Sequence, residues 1–423
     1  QARARAASFM KPLARSSWPW RRARSQVSAV VLFASTPAAD FWHFARNFGE
    51  LLREDALDFL RRPEVYPPRV RVLRMRSDRS EGCQVEGRLH QVEVGAVRGF
   101  AEFSRPGANA SDDFVLVPHC FGNRITRLLM ACDSLADFNK PAGGCWAFAR
   151  ETIRPLVRAW AGELRRAGTS AVAVLSLASS RMLFPEFEKI PFVISFSGPT
   201  DWMEVNKVGN GVAASVDFGC GIGRSRAADG RHSFFYPRSW PNDVVVLPMS
   251  LFDVATHWQE AEGRDLLFTF LGTSTSCVRE LLLRAWSGSE FSDVVVEENS
   301  HAGERYSELL TRARYCIVPD GHIPWSYRFL ETLQHGCVPV ILSESWHPPL
   351  HRLFRWTDPD FPTLFVHPSR VRDLHSILSE EDPHRWLRMQ RLTFPLAAAL
   401  DPTREGYYET QLAELALARA GHG

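Results

Sequence analysis

Tyr306–Pro349 has the sequence YSELLTRARYCIVPDGHIPWSYRFLETLQHGCVPVILSESWHPP, and this stretch decides the fold of the chain. Tyr315–Val318 and Val338–Leu342 are short apolar runs, which are typical of buried strands, and residues with helical spacing precede each run. The stretch therefore predicts a helix, a strand, a loop, a second helix and a second strand. Two strands that are joined through a helix form the unit of a parallel α/β sheet.

The loop between these two strands is the predicted ligand site. It runs from Pro319 through Gly321 to Pro324, and the next helix is predicted to begin near Trp325 and Ser326. In parallel sheets, ligands bind beyond the carboxyl ends of the strands, where a helix N-terminus offers free N–H groups to anions. We expect Ser326 to lie at or near the N-terminal cap of this helix.

Helical spacing divides the residues of this helix into two faces. The apolar, core-facing stripe consists of Trp325, Phe329 and Leu333, and the polar face consists of Arg328, Glu331, Thr332 and His335. Arg328 and Glu331 are therefore expected to point outward together. An arginine at this place can bind a diphosphate through two parallel hydrogen bonds, and a carboxylate one turn later can accept hydrogen bonds from ribose hydroxyls. The alternative is an i,i+3 ion pair on a solvated helix face.

The same stretch resembles the carboxyl-terminal signature of the exostosin family of glycosyltransferases. The matching residues are Tyr315, Cys316, Pro319, Gly321, Ser326, Arg328, Glu331, Gly336, Cys337, Pro339 and Val340. The resemblance implies an α/β chain with the GT-B fold, in which two Rossmann-like domains face a cleft. It also implies transfer of a sugar from a nucleotide-sugar donor, with Ser326, Arg328 and Glu331 at the donor pocket and Pro319 and Gly321 in its loop.

A second helix N-terminus is expected to serve the same pocket. Leu266–Leu271 is a predicted strand, and Gly272 with four hydroxyl residues leads from it into a predicted helix over Cys277–Trp286. The buried stripe of this helix leaves Arg279 free, so Gly272 and Arg279 are donor-site candidates. A basic residue often follows this glycine in exostosin relatives, whereas Thr273 stands there in this chain. A solvated helix arginine is the alternative interpretation of Arg279.

The first half of the chain is the predicted acceptor domain. Its predicted strands are Val70–Leu73, Phe114–Val117, Ala171–Leu177 and Ile190–Phe196. His119 and Asp201 follow strands and are candidate bases for an acceptor hydroxyl, while a turn or a helix cap is the alternative role of Asp201. Exostosin relatives often carry an Asp-His pair after the glycine that corresponds to Gly168. This chain lacks the pair, so the role of that pair cannot be transferred to it.

The length of 423 residues exceeds what one hydrophobic core usually supports. We predict a basic lead over 1–26, an amino-terminal Rossmann-like acceptor domain over 27–240, a carboxyl-terminal Rossmann-like nucleotide-sugar domain over 241–395 and a helical tail over 396–423. Asp243–Leu247 is the strand that is expected to open the second of these domains. Because GT-B enzymes commonly place their last helix on the first domain, the resemblance implies the same here.

The charge and hydropathy of the chain restrict its partners. A net charge of +2 argues against nucleic acid as the main partner. No stretch reaches the roughly 18 uninterrupted apolar residues that a membrane-spanning helix needs. The resemblance implies residence in the Golgi lumen, with a membrane anchor that would lie upstream of Gln1.

Eight cysteines are dispersed along the chain, at Cys83, Cys120, Cys132, Cys145, Cys220, Cys277, Cys316 and Cys337. They form no C-x-x-C pair and no cluster with histidine, so we expect no structural zinc site. Their even number permits disulfides in an oxidising compartment, but the sequence does not reveal which cysteines pair.

The resemblance implies transfer from a UDP-sugar to a glycan acceptor with inversion, by the chain alone or in an oligomer with itself or another glycosyltransferase. Inverting displacement requires a base for the acceptor hydroxyl and positive charge for the departing diphosphate. Arg279, Arg328 and two helix N-termini supply that charge, so no metal or cofactor is expected to be required. The alternative is an inactive exostosin-like scaffold that assists an active enzyme. The missing Asp-His pair agrees with that alternative.

Overall fold

Two parallel β-sheets form the framework of the chain in a computed structural model. Residues 37–423 belong to one unit that contains both sheets. The structure describes residues 37–62, 65, 68, 70–72, 99–100, 114–117, 121, 144–168, 171–175, 192–196, 243–246, 263–274, 276–298, 303–320, 326–343, 346, 348–401, 404 and 406–421. The predicted basic lead over 1–26 lies outside the described residues.

The first sheet contains five described strands, which follow one another in space as they do along the chain. They are β1 (Val70–Val72), β2 (Phe114–Leu116), β3 (Ala171–Leu175), β4 (Phe192–Phe196) and β5 (Asp243–Val246), and each adjacent pair is parallel. The four strands that the sequence predicts for the first domain are confirmed. All three residues of β2 are buried, as expected for a short apolar run in a parallel sheet.

The last strand of this sheet does not lie in the domain to which the sequence assigned it. Asp243 pairs with Val193, and Val246 pairs with Phe196 of β4. The strand that we expected to open the second domain therefore completes the first sheet, and that expectation is wrong. A short apolar run predicts that a strand exists, but it does not identify the neighbour with which the strand pairs.

The second sheet contains the stretch that decides the fold. Its described strands are β6 (Leu266–Leu271), β7 (Val294–Glu297), β8 (Ala313–Pro319), β9 (Val338–Leu342) and β10 (Leu364–Val366). They are parallel and lie in the order β10-β9-β8-β6-β7. The order reverses between β6 and β8, because β7 lies on one side of β6 and β8 on the other. Such a reversal opens a crevice beyond the carboxyl ends of the strands, where ligands of α/β proteins bind.

Two parallel sheets in one chain confirm the predicted α/β class with two Rossmann-like parts, as a GT-B fold requires. The described helices are α1 (Pro37–Phe48), α2 (Glu54–Leu60), α3 (Gly144–Ala167), α4 (Cys277–Trp286), α5 (Glu304–Arg312), α6 (Arg328–Gln334), α7 (Leu374–Ser379), α8 (Pro383–Leu400) and α9 (Gly406–Arg419), with 3-10 helices at Gly49–Leu51 and Pro368–Asp373. Within the described ranges, every helix is too short or too polar to cross a bilayer.

The end of α3 and the course of α8 involve a glycine and two prolines. α3 ends at Ala167, and the φ angle of +72° at Gly168 lies in the left-handed region that favours glycine. α8 continues through Pro395 to Leu400, so the predicted boundary between 395 and 396 falls inside a helix. α8 begins at Pro383. Proline is common in the first turn of a helix, because the N–H groups there have no partner within the helix.

The last helix, α9, packs on the first sheet. The guanidinium carbon of Arg419 lies 3.4 Å from the centroid of the Phe114 ring and 5.9 Å from that of Phe192. The ring of Tyr408 contacts Phe100 edge-on, with 5.3 Å between the centroids. Apolar residues of α9 also share one hydrophobic core with strands of both sheets. The prediction that the last helix crosses back onto the first domain is confirmed by these contacts.

A buried carboxylate attaches α9 to the segment after β9. Glu414 is 0% exposed. Its Oε1 accepts hydrogen bonds from Nη1 and the backbone N of Arg352, at 3.0 and 3.2 Å, and its Oε2 accepts one from the backbone N of Leu353 at 2.8 Å. Burial raises the pKa of Glu414 to about 7, while the nearby charge of Arg352 opposes the rise.

Cys316 and Cys337 form a disulfide between two neighbouring strands of the second sheet. Cys316 lies within β8, and Cys337 immediately precedes β9. The bond therefore closes the chain around the loop and helix α6. The sequence permitted disulfides without identifying this pair.

Replacing both cysteines with serine is expected to lower the free energy of unfolding. The two cysteines are 21 residues apart, and the chain-entropy model assigns about 3 kcal/mol to a loop of this length. Chemical denaturation followed by circular dichroism measures the change, with each single serine variant as a control. Because either single variant already breaks the bond, all three variants should lose similar stability. An unchanged midpoint in the double variant would contradict the prediction.

Candidate functional site

The candidate site lies where the order of the second sheet reverses. Gly272 directly follows β6, and Pro319 is the last residue of β8. Because β6 and β8 are parallel neighbours, their carboxyl ends lie at the same edge of the sheet. Two of the residues predicted for donor binding are thereby brought together. Gly321, which was predicted with them, lies outside the described residues.

The N-terminus of α4 joins the loop after β6 to the loop after β8. Ser276 caps α4, because its Oγ accepts a hydrogen bond from the backbone N of Arg279 at 3.3 Å. The same hydroxyl donates to the backbone oxygen of Asp320 at 2.6 Å, and Nε of Arg279 donates to that oxygen at 3.1 Å. The two loops are therefore fixed to each other at the crevice.

Arg279 is buried at the crevice, which contradicts the alternative interpretation of a solvated helix arginine. The residue is only 9% exposed. Its Nη2 lies 3.4 Å from Oγ of Ser326. Burial and, to a smaller extent, the positive charge of Arg328 together lower the pKa of Arg279 to about 10. Arg279 remains a cation at neutral pH, and Arg328 is close enough to repel it.

Ser326 lies just before α6, in agreement with the prediction that it lies at or near the cap. Its Oγ accepts a hydrogen bond from the backbone N of Arg328 at 3.3 Å. The helix begins at Arg328, later than the predicted start near Trp325. A serine hydroxyl that accepts from an N–H further along the chain is typical of the residues that precede a helix.

The guanidinium of Arg328 contacts two aromatic rings. Its central carbon is 4.7 Å from the centroid of the Phe270 ring and 5.1 Å from that of Tyr306. Its Nε is buried and has no hydrogen-bond partner among the described residues. A buried guanidinium nitrogen without an acceptor is unfavourable, so this group is suited to hold an anion.

Glu331 does not point outward with Arg328, and that prediction is wrong. Glu331 is 4% exposed, and its Oε2 accepts a hydrogen bond from the hydroxyl of Tyr306 at 2.7 Å. Thr332 and His335, which share its face, are fully buried as well. The periodic pattern separated apolar from polar residues, but α5 covers the polar face of α6 with side chains such as Tyr306 that can bond to it.

Gly272 allows a close approach to Arg328. A Cβ at this position would lie 2.6 Å from Nη2 of Arg328 and 3.0 Å from Cζ of Phe270. Any side chain at position 272 would therefore displace the guanidinium from its contacts with the rings. The predicted pairing of Gly272 with the arginines of this site has a steric basis.

Several predicted features cannot be compared with the structure. The candidate bases His119 and Asp201 lie outside the described residues. In the part of the chain that the structure describes, no group of three or more His, Cys, Asp or Glu side chains is arranged to hold a metal ion. The roles that the sequence assigned to Pro319, Ser326 and Glu331 in donor binding stay predictions.

Sequence reasoning missed the two rings that hold Arg328. Phe270 is a buried residue of β6, and Tyr306 is a buried residue in the first turn of α5. Alternation within a strand and apolar spacing within a helix assign both residues to the core. No signal in the sequence indicates that both contact the same cation, because this contact depends on the neighbouring positions of β6, α5 and α6.

Comparisons with known proteins identify a family model and several relatives that are similar to parts of this chain. Residues 213–380 match the family model described as Exostosin GT47 domain. A probable glycosyltransferase of Arabidopsis thaliana is 30% identical over 129 residues, which cover 30% of this chain and 24% of that protein. Exostosin-1 of Bos taurus is 40% identical over 74 residues, which cover 16% of this chain and 10% of that protein.

The matched regions thus span no more than about a quarter of the length of these curated relatives. A solved chain described as the glycotransferase of kitacinnamycin is 12% identical, and the alignment covers 77% of this chain and 96% of that chain. Its TM-score of 0.28 is too low to support an argument about structure or function.

Proposed function

We propose that this chain, whose residues 213–380 match the family model described as Exostosin GT47 domain, is an exostosin-like glycosyltransferase that transfers a sugar from a UDP-sugar to a glycan acceptor with inversion. The crevice between β6 and β8 is the proposed donor site, with Arg328 and Arg279 on the diphosphate. Gly272, Pro319, Gly321 and Ser326 complete the loops around it.

One observation carries this proposal: a buried, unpartnered nitrogen on a cation that lies next to a second cation. Nε of Arg328 has no acceptor in the described part of the chain. The charge of Arg328 also disfavours the charged form of Arg279. A diphosphate would supply acceptors for the guanidinium and cancel the repulsion between the two arginines, since guanidinium groups bind phosphates with two parallel hydrogen bonds.

The proposed reaction places growing negative charge on this side of the crevice. The acceptor oxygen forms a bond to the anomeric carbon of the sugar, and the bond from that carbon to the diphosphate oxygen breaks. The electron pair of the broken bond stays on UDP, where Arg328 and Arg279 stabilise it. A base removes the proton of the acceptor hydroxyl, and His119 and Asp201 remain the proposed candidates. These cations perform the role that a metal ion would otherwise have, so we propose that no metal is required.

The disulfide of the second sheet supports a proposal about the compartment. Disulfides persist in oxidising compartments and are rare in the cytosol. The Cys316–Cys337 bond therefore supports our proposal that the chain works in the Golgi lumen. We propose that it is anchored there through a segment upstream of residue 1 and that it can associate with itself or another glycosyltransferase.

Calorimetric titration tests the donor site. The chain is titrated with UDP, with GDP and with a panel of UDP-sugars, first in a chelator and then with Mn²⁺. We expect UDP to bind in the chelator, because the arginines supply the positive charge. Binding of GDP with equal affinity would overturn the choice of uridine, and binding only with Mn²⁺ would overturn the metal-independent site.

A scaffold without catalysis is the second candidate, and one contact favours it. Ser274 lies in the loop after Gly272, where relatives often carry a basic residue next to the glycine. Its backbone N and its Oγ both donate to Oε1 of Glu298, at 3.2 and 2.6 Å. A carboxylate thus uses donors that a phosphate would otherwise use. Failure of a folded chain to bind any nucleotide would favour the scaffold.

Replacing Gly272 with alanine is expected to weaken UDP binding about tenfold, the scale of one lost hydrogen bond to a charged group. The added Cβ would push the guanidinium of Arg328 out of place. Gly49→Ala is the matched control, because a Cβ at Gly49 meets no described atom within 4 Å. Calorimetry measures both affinities. Equal UDP affinity in the Gly272 variant and the wild type would contradict the prediction.

A further inference from the structure

Tyr306 lies beside the proposed diphosphate site without being part of the donor signature. It is buried in the first turn of α5, and its ring faces the guanidinium of Arg328. We propose that Tyr306 is a positioning residue, which holds Arg328 against the diphosphate of the donor through its ring and is itself fixed by Glu331. This inference rests on the proposed donor site and adds a residue to it.

The first step concerns how Arg328 is oriented. Within the described ranges, no hydrogen bond or ion pair to its guanidinium exists, and its one buried nitrogen lacks an acceptor. Its contacts are the rings of Phe270 and Tyr306, at 4.7 and 5.1 Å from the guanidinium carbon. A cation is attracted to the face of an aromatic ring. The two rings therefore fix the guanidinium and leave its N–H groups available to a ligand.

The second step concerns how Tyr306 is fixed. Its hydroxyl donates to Oε2 of Glu331 at 2.7 Å, and both residues are buried. Burial raises the pKa of Tyr306 well above its ordinary value, so the hydroxyl keeps the proton that it donates. The ring cannot rotate away from Arg328 without breaking this buried hydrogen bond, which is unfavourable.

The third step concerns the support behind Glu331. Nδ1 of His335 lies 2.7 Å from the backbone oxygen of Glu331 and must donate, because a carbonyl oxygen only accepts. Nε2 of the same ring lies 2.7 Å from Oγ of Ser307, the neighbour of Tyr306. Nη2 of Arg264 donates to the backbone oxygen of His335 at 2.6 Å. A buried polar network thus joins the start of α5 to α6, and such a network rigidifies the groups at its end.

This arrangement gives Glu331 a function that differs from the one expected from the sequence. The carboxylate of Glu331 accepts a hydrogen bond from Tyr306. It therefore affects the nucleotide-sugar only indirectly, through the Tyr306 ring and Arg328. The guanidinium of Arg328 is thereby held in place before the ligand binds. Binding then costs less side-chain entropy. Fixed charge that needs no rearrangement is also the arrangement that most favours a developing anion.

A double-mutant cycle with UDP as the probe tests the inference in the full chain. Tyr306→Leu removes the ring and is expected to weaken UDP binding about 5- to 30-fold, the factor that one desolvated cation–π contact contributes. Tyr306→Phe keeps the ring but loses the hydrogen bond to Glu331, so its UDP affinity should fall between those of the wild type and Tyr306→Leu. The double variant Tyr306→Leu with Arg328→Ala should bind UDP no more weakly than Arg328→Ala alone, because Tyr306 acts through Arg328.

Tyr407→Leu is the matched control, since it also removes a buried tyrosine ring but lies in α9. It should lower stability without changing UDP affinity. Additive losses for Tyr306→Leu and Arg328→Ala, or unchanged binding by folded Tyr306→Leu, would overturn the positioning role while the donor site stands. Absence of UDP binding by the wild type would overturn both.

Phe270 allows the same double-mutant cycle if the Tyr306 variant does not fold. If Tyr306→Leu is unfolded, Phe270→Leu replaces it, because the Phe270 ring also contacts the guanidinium of Arg328. The expected loss is again about 5- to 30-fold and again absent when Arg328 is already alanine. Additive losses in this second cycle would overturn the positioning role.

Discussion

Replacing Arg328 with alanine is expected to weaken UDP binding by roughly 1.5 to 3 kcal/mol, the scale of a hydrogen bond to a charged group. The release of UDP from a UDP-sugar should slow by about 10²- to 10³-fold, because removal of one preorganised donor to a developing anion has this effect in other enzymes. Both losses follow from a guanidinium that contacts two aromatic rings and whose buried Nε has no acceptor among the described residues. Calorimetry and a coupled assay for UDP measure them.

Two further variants distinguish charge from geometry. Arg328→Lys keeps the positive charge but loses the planar group that stacks on Phe270 and Tyr306, so its affinity should fall between wild type and alanine. Arg284→Ala removes an exposed arginine that pairs with Glu280 on α4, and it should leave UDP binding unchanged. A folded Arg328→Ala chain with wild-type affinity would remove the basis for the donor site.

Replacing Glu414 with alanine is expected to lower the free energy of unfolding by about 3 to 5 kcal/mol, the typical effect of removing one partner of a buried ion pair. The change leaves Arg352 buried without its carboxylate and leaves the backbone N of Leu353 without its acceptor. Chemical denaturation measures the loss. Glu290→Ala, which removes an exposed carboxylate, should change stability by no more than about 0.5 kcal/mol.

The same carboxylate predicts a dependence of stability on pH. Burial raises the pKa of Glu414 from an ordinary value of 4.5 to about 7 in the folded chain. Between these two values the folded state binds more protons than the unfolded state, so this contribution to stability is complete below pH 4.5 and is lost as the pH rises through 7.

Glu414→Gln tests this pH dependence, because it keeps an oxygen acceptor but cannot titrate. The difference in stability between wild type and this variant should change between pH 4.5 and 7, in the sense that wild type loses more stability as the pH rises. Nδ1 of His351 lies 3.8 Å from Oε1 of Glu414, so both curves are measured in a His351→Gln background. Parallel curves for the two chains would contradict the assignment.

Local patterns predicted most elements of the fold. The apolar runs at β8 and β9 and the glycine after α3 act within a few residues, so the chain itself reveals them. The partners of those elements depend on distant parts of the chain. For this reason the sequence indicated that Asp243–Val246 is a strand, but it assigned the strand to the wrong sheet.

The sequence likewise identified some residues of the candidate site correctly and misplaced one. Spacing identified Gly272, Ser326 and Arg328, and the fold brings them to one edge of the second sheet. Spacing also placed Glu331 on a solvated face, because a polar residue at helical spacing is usually exposed. It is buried here because Tyr306 supplies a hydrogen bond, and a pattern within one helix contains no information about the helix that covers it.

The placement of α9 on the first sheet also has a consequence for how the chain is made. Phe114 belongs to the second strand of that sheet, and the cation that covers its ring is Arg419, at the opposite end of the chain. A ribosome therefore synthesises every other described element before the first sheet can bury this surface. During that time its apolar residues are exposed to chaperones and to aggregation, as in other chains whose contacts are distant in sequence. A premature stop codon before α9 would therefore leave the first sheet, which is translated earlier, without the helix that covers it.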